Sequence, residues 1–262
     1  MTAAAWPECG FAAQVRILAG RSLRAEFADR KLVFFGLLQP VVLLVLFSQV
    51  FQVVGALPGL SGYGGYVNFL VPATMVAIAL TTAMGSSAGL LAELYGGFTS
   101  RLRTMPVSLF AALTARTIAD GVRLGAQLIV VVAASYALLD FRPVGGLAGA
   151  GAAVALTVFF GWCLDWVFVA LTTMVRKPEA LQAVAFVVTF PLMFSSSAYM
   201  PIAAMPSWMR ILSSVNPVTY VVDATRALSS GTTAGPAVLA AAGTAFAVAV
   251  LGGICARRAI LR

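Results

Sequence analysis

ELYGGFTSRLRTMP, residues 93–106, is a charged, glycine-punctuated stretch set between two long apolar runs. A polar interruption of this length between such runs reads as a loop joining two helices that cross a membrane. A loop needs only to be polar, and this one carries more. It holds an acid (Glu93), a Gly pair ending at Gly97, the aromatic Phe98, a basic pair at Arg101 and Arg103 flanking Leu102, and a stop at Pro106. That content predicts a short helix lying flat at the membrane surface, open to a partner.

Outward from this loop the chain keeps the same character. Of its 262 residues 61% are apolar and 10% charged, and the mean hydropathy is +0.97. A soluble domain carries about a quarter charged residues, so this chain lacks the polar surface that water requires. The expected fold class is an all-α, polytopic membrane protein in contact with the lipid bilayer. The net charge of +8 lies in short loops, where it reads as orientation in the bilayer and not as nucleic-acid binding. Cys9, Cys163 and Cys255 have no disulfide or metal-ligand spacing, and histidine is absent, so no metal site is expected. Only Lys31 and Lys177 are lysines and neither follows a glycine. The phosphate loop GxxxxGK(S/T) is therefore missing, and no ATP is expected to bind this chain by that loop.

Residues 1–32 are interrupted by Arg16, Arg21, Arg24, Arg30 and Lys31, and no cleavable signal is expected there. Phe11, Val15 and Leu18 share one helical face, which predicts a cytosolic, interfacial helix. Ile17, Leu23 and Phe27 fall off that face, so a basic solvated tail is the other reading. The transmembrane domain occupies 33–262, with six spans at about 33–54, 67–92, 121–139, 147–175, 180–200 and 238–256. The first has 22 residues, or about 33 Å of helix, enough to cross the hydrocarbon core. Assigned alternately, fourteen Arg and Lys residues fall on one side and only Arg142, Arg210 and Arg226 on the other. That bias places both termini and the 93–106 loop in the cytosol.

Several positions inside the spans carry more than hydropathy. Pro40 sits within the first span. Gly85 and Gly89 give the second a GxxxG face, suited to packing within the bundle or to a subunit interface. Arg116, Asp120 and Arg123 are four and three apart and meet on one helical face. Asp165 is an intramembrane carboxylate, a candidate for proton relay, for substrate contact or for a structural hydrogen bond. Phe186, Phe190, Met193 and Phe194 form a stripe that serves ordinary helix packing or lines a path for apolar cargo. Residues 201–236 are too polar to span and read as short helices at the outer interface. There Trp208 suits the headgroup level and Asp223 pairs with Arg226.

Three groups of residues resemble the ABC-2 type transporter permeases, in the daunorubicin-resistance-like group, and the resemblance covers nearly the whole chain. The first runs from Glu93-Leu94 through Gly97-Phe98 and Arg101-Leu102-Arg103 to Pro106-Val107-Ser108. The second is Val175-Arg176-Lys177-Pro178-Glu179-Ala180. The third joins Pro206 and Trp208 to Asn216-Pro217-Val218-Thr219 and Asp223-Ala224 with Arg226-Ala227. One departure is Ser100, where the family's loop often has an acid. The resemblance implies a membrane subunit that is not itself an enzyme, working with a separately encoded ATP-binding subunit that carries ATP and Mg, and with a second permease copy or a related permease. It implies that Glu93, Gly97, Phe98, Arg101, Leu102, Arg103 and Pro106 couple to that ATPase, and that the cargo is a hydrophobic or amphiphilic drug, polyketide or complex lipid moved outward across a bacterial plasma membrane. Fifteen arginines against two lysines agree with a GC-rich bacterial source. The alternatives are a polysaccharide or glycolipid exporter subunit of the same superfamily, and a proton-coupled secondary transporter using Asp165.

Overall fold

The computed structural model describes residues 10–28, 30–50, 65–95, 108–175, 177–232 and 235–260, and among them there are nine α-helices and no strand. These are α1 (Phe11–Ala28), α2 (Arg30–Val50), α3 (Tyr66–Tyr95), α4 (Leu109–Leu138), α5 (Gly146–Met174), α6 (Pro178–Phe194), α7 (Ser207–Val215), α8 (Pro217–Ser229) and α9 (Gly235–Ile260). Five of them, α2, α3, α4, α5 and α9, are long and apolar enough to cross a membrane, and α6 is a shorter apolar helix of 17 residues. The chain is a multi-pass, all-helical membrane protein.

α3 and α5 are the most enclosed of the long helices. α5 touches α3, α4, α6, α8 and α9, and small residues set how closely it packs. A Cβ at Gly252 of α9 would stand 2.8 Å from the backbone carbonyl of Trp166 in α5. A Cβ at Gly149 of α5 would stand 2.4 Å from the Leu228 carbonyl oxygen at the end of α8. Backbones approach this closely only where a side chain is missing.

α2 is built differently. Pro40 has no N–H, so the carbonyl of Gly36 one turn earlier loses its helical donor. In a membrane that carbonyl needs another partner. Gln127 of α4 supplies it, its Nε2 donating to the Gly36 oxygen at 3.2 Å. The same amide accepts from Thr82 Oγ1 of α3 at 3.1 Å, so one side chain ties α2, α3 and α4 together.

The helix expected over 180–200 ends at Phe194. Pro191 lies in its last turn, and Ser195–Ser197 make the turn that follows. Asn216 closes this end, its Nδ2 donating to the Leu192 oxygen at 2.6 Å. Its Oδ1 meanwhile accepts from Val218 N at 2.9 Å, as the N-cap of α8 ahead of Pro217. The helix over the third span begins at Leu109, twelve residues before position 121, with Ser108 as its N-cap accepting from Ala111 N at 3.0 Å. Residues 201–232 fold into a 3-10 turn (Ile202–Ala204), α7 and α8, the short helices expected there.

Candidate functional site

Gly97, Phe98, Arg101, Leu102, Arg103 and Pro106 lie outside the described residues, and Glu93 is in the last turn of α3 with its side chain outside them too. What is described is the pair of helices on either side of this loop, and the contacts they make. α1 follows the first half of α4 in the same direction. Phe11 stacks on Phe110 at 6.2 Å. The Ser108 amide donates to Gln14 Oε1 at 3.1 Å, and fifteen residues after Phe11, Glu26 reaches Arg116 and Arg123. The helix expected over the N-terminal segment is present, and its Val15 and Leu18 are partly covered.

At the far end of this contact lies a buried charge cluster. Arg116, Asp120 and Arg123 meet on one face of α4, as their spacing predicts. Arg116 Nε donates to Asp120 Oδ2 at 3.2 Å, and Arg123 Nη2 is 3.8 Å from Asp120 Oδ1. Ser86 of α3 donates to Asp120. Glu26 joins with its carboxyl oxygens 3.8 Å from Arg116 Nε and 3.9 Å from Arg123 Nε. Both Glu26 oxygens and Arg123 Nε are buried without a hydrogen-bond partner among the described residues. Burial, reinforced by the neighbouring Asp120 charge, pushes the Glu26 carboxyl up to about 7 against the pull of the two arginines. Glu26 carries no local signal in the sequence, because its partners lie about ninety residues away.

The GxxxG face of α3 does two jobs within this protein. Gly89 makes room for the Arg116 guanidinium, since a Cβ there would stand 2.7 Å from Nη2. Gly85 meets nothing within 4 Å and lines a cavity. That cavity, of about 320 Å³, lies between α2, α3 and α4 and reaches Met193 and Tyr199. Its wall is mixed, with Gln39, Thr74, Thr81 and Gln127 beside Leu43 and Phe47. A second cavity of about 320 Å³ lies between α2 and α4 and extends to Glu26, and the two share Gly36, Gln39, Arg123 and Gln127.

On α6 the aromatic stripe forms a ladder. Phe186 and Phe190 have ring centroids 4.2 Å apart, Phe190 and Phe194 5.1 Å, and Phe194 and Tyr199 5.4 Å. All three phenylalanines are exposed on the protein surface, whereas Met193 turns into the cavity. Asp165 stands apart from the ladder, buried on α5.

At the opposite end of the bundle Arg226 is fully enclosed. It donates from Nε to the Phe69 oxygen at 3.1 Å, from Nη1 to the Ser197 oxygen at 2.8 Å and from Nη2 to the Ala198 oxygen at 2.7 Å. Its guanidinium lies over the Phe69 ring at 3.5 Å. Asp223 pairs with it at 3.5 Å and accepts from Ser197 Oγ at 2.6 Å. Asn216, Pro217, Asp223 and Arg226 therefore form a clamp that joins α8 to α3 and to the end of α6. Trp208 lies outside it, exposed on α7.

The arrangement agrees with what the chain is similar to. It is 28% identical over 195 residues to the daunorubicin resistance ABC transporter permease protein DrrB1 of Streptomyces coeruleorubidus, covering 74% of this chain and 67% of that protein. It is 30% identical over 202 residues to a putative transport permease, ycf38, of Cyanophora paradoxa, covering 74% and 67%. It is 24% identical over 228 residues to the probable doxorubicin resistance ABC transporter permease protein DrrC of Mycobacterium tuberculosis, covering 84% and 78%. The ABC-2 type transporter family profile matches residues 13–229, from α1 through the Arg226 clamp. The chain thus belongs to the ABC-2 type transporter family, as a multi-pass permease.

Proposed function

We propose that this chain is the membrane half of an ATP-driven exporter, with six spans, both termini in the cytosol of a bacterium and the transmembrane domain over 33–262. The observation that carries this reading is the set of contacts made by the helices on either side of residues 96–107. α3 leads into the loop, and α4 leaves it held to α1 by Phe11, Gln14 and the Glu26 charge cluster. A push on the loop from below reaches α1, α3 and α4 together. The push comes from a separate ABC ATP-binding subunit that carries ATP and Mg. Glu93, Arg101 and Arg103 dock on it by charge and Phe98 and Leu102 by apolar insertion, with Gly97 and Pro106 shaping the loop. A second permease, identical or related, completes the pathway. The cargo is a hydrophobic or amphiphilic molecule, in keeping with the drug-resistance names of two relatives and with the exposed phenylalanine ladder of α6.

Inverted membrane vesicles containing this chain and an ABC ATP-binding subunit test the reading. Daunorubicin should accumulate in them only with ATP. The double variant Arg101→Glu with Arg103→Glu should insert normally and lose most of that accumulation. Unchanged export in the double variant would remove the docking role, and transport without any ATPase would overturn the whole proposal.

A further inference from the structure

A groove of about 310 Å³ runs along the outside of the bundle between α5 and α9, roofed by Phe110 at the start of α4. On α9 it is bounded by Phe246, Val250, Gly253 and Arg257, which follow one helical face at intervals of four, three and four. On α5 it is walled by Trp162 and Trp166, whose rings meet edge to face at 6.5 Å, and Phe110 lies 5.5 Å from Trp166. Trp162 Nε1 donates to Thr117 Oγ1 of α4 at 3.3 Å, so its polar edge is spent inside the bundle. The hollow exists because Gly253 has no side chain, its Cβ position standing 3.9 Å from the Trp166 ring. Next to it, Gly252 holds α9 hard against the α5 backbone, which fixes the floor.

The groove has one charged residue in its lining, Arg257, at the end where α9 finishes. Arg257 is exposed and pairs with no carboxylate among the described residues. A cation in the last turn of a helix is favoured by the helix dipole alone. Arg258 satisfies that preference equally and does not line the groove. From Phe246 to Arg257 the helix rises about 16 Å, an apolar trough ending in a cation with no carboxylate partner among the described residues. We propose that this groove is a binding site for an anionic phospholipid, with an acyl chain against Trp162 and Trp166 and the phosphate on Arg257. Basic residues at the mouths of apolar clefts between membrane helices recognise such headgroups. The site lies away from the cavities beside α2 and is independent of the cargo.

The test uses the two tryptophans as reporters. Trp6 and Trp208 are replaced by phenylalanine, and the purified full chain in detergent is titrated with phosphatidylglycerol or phosphatidylcholine carrying brominated acyl chains, which quench nearby indoles. Phosphatidylglycerol should quench at roughly fivefold lower concentration than phosphatidylcholine, the advantage expected of one arginine at the headgroup. Arg257→Gln should bring the two lipids level, and Arg257→Lys should restore most of the difference. Gly253→Leu, which fills the hollow, should weaken quenching by both. Equal quenching by the two lipids in the parent protein overturns the proposal, as does an Arg257→Gln variant that keeps the preference. Absence of quenching by either lipid, as when a second copy of the chain covers the groove, overturns it as well.

Discussion

The guanidinium of Arg116 lies in the space that a side chain at residue 89 would fill, with Nη2 2.7 Å from the Cβ position of Gly89. Gly89→Val therefore pushes Arg116 away from Asp120 and Glu26, and overpacking of this kind costs roughly 1–3 kcal/mol. Gly85→Ala, one turn earlier, meets nothing within 4 Å and should hold or raise stability, by up to about 1 kcal/mol. Thermal unfolding of the two purified variants in detergent, side by side, checks the contrast.

Glu26 gives the protein a pH dependence of defined sign. Its carboxyl is raised from 4.5 to about 7 by burial and by Asp120, so the folded state holds a proton that the unfolded state releases earlier. Stability from this group is fully present below pH 4.5 and declines as the pH rises to about 7. The decline is at most roughly 3 kcal/mol, and smaller to the extent that solvent screens this partly exposed carboxyl. Glu26→Gln should flatten the melting temperature across that window. A wild-type profile that rises there, or one that Glu26→Gln leaves intact, contradicts the assignment.

Arg226 offers five donors to three carbonyls on two separate segments. Arg226→Ala leaves those carbonyls enclosed without a donor, at roughly 3 kcal/mol or more. Arg226→Lys recovers little, because an ammonium cannot span the same fork. Folded yield in detergent, read by size-exclusion chromatography, should fall for both variants.

Asp165 separates two ways of driving transport. If ATP hydrolysis by a partner supplies the energy, Asp165→Asn should retain ATP-dependent accumulation in vesicles, and an uncoupler should leave the wild-type rate unchanged. A rate that collapses with the proton gradient and is lost in Asp165→Asn favours a proton-coupled carrier.

The parts of this fold that depend on neighbours in sequence were readable before the structure. The Arg116, Asp120 and Arg123 face, the Asp223–Arg226 pair and the short helices after residue 200 all follow from spacing of three or four and from hydropathy. Pro40 was visible inside the first span, but that it frees the Gly36 carbonyl and that Gln127 answers it were not. What stayed hidden was set by distant partners. Glu26 reads as one acid in a basic segment until α4 is laid beside it, and Gly89 reads as a helix contact until Arg116 fills its place. The helix over 180–200 stops at Phe194 because a turn and Asn216 from another segment take over its last carbonyls, and no pattern within the helix itself announces that.

The side-chain bridge from Gln127 to Gly36 bears on which helix is free to swing. α2 borders two cavities on its side toward α4, whereas α5 packs against five other helices and has no room for a methyl group at Gly149. In the proposed exporter, a stroke on the 93–106 loop would leave α5 standing as the post and swing α2 as the door, hinged on one glutamine.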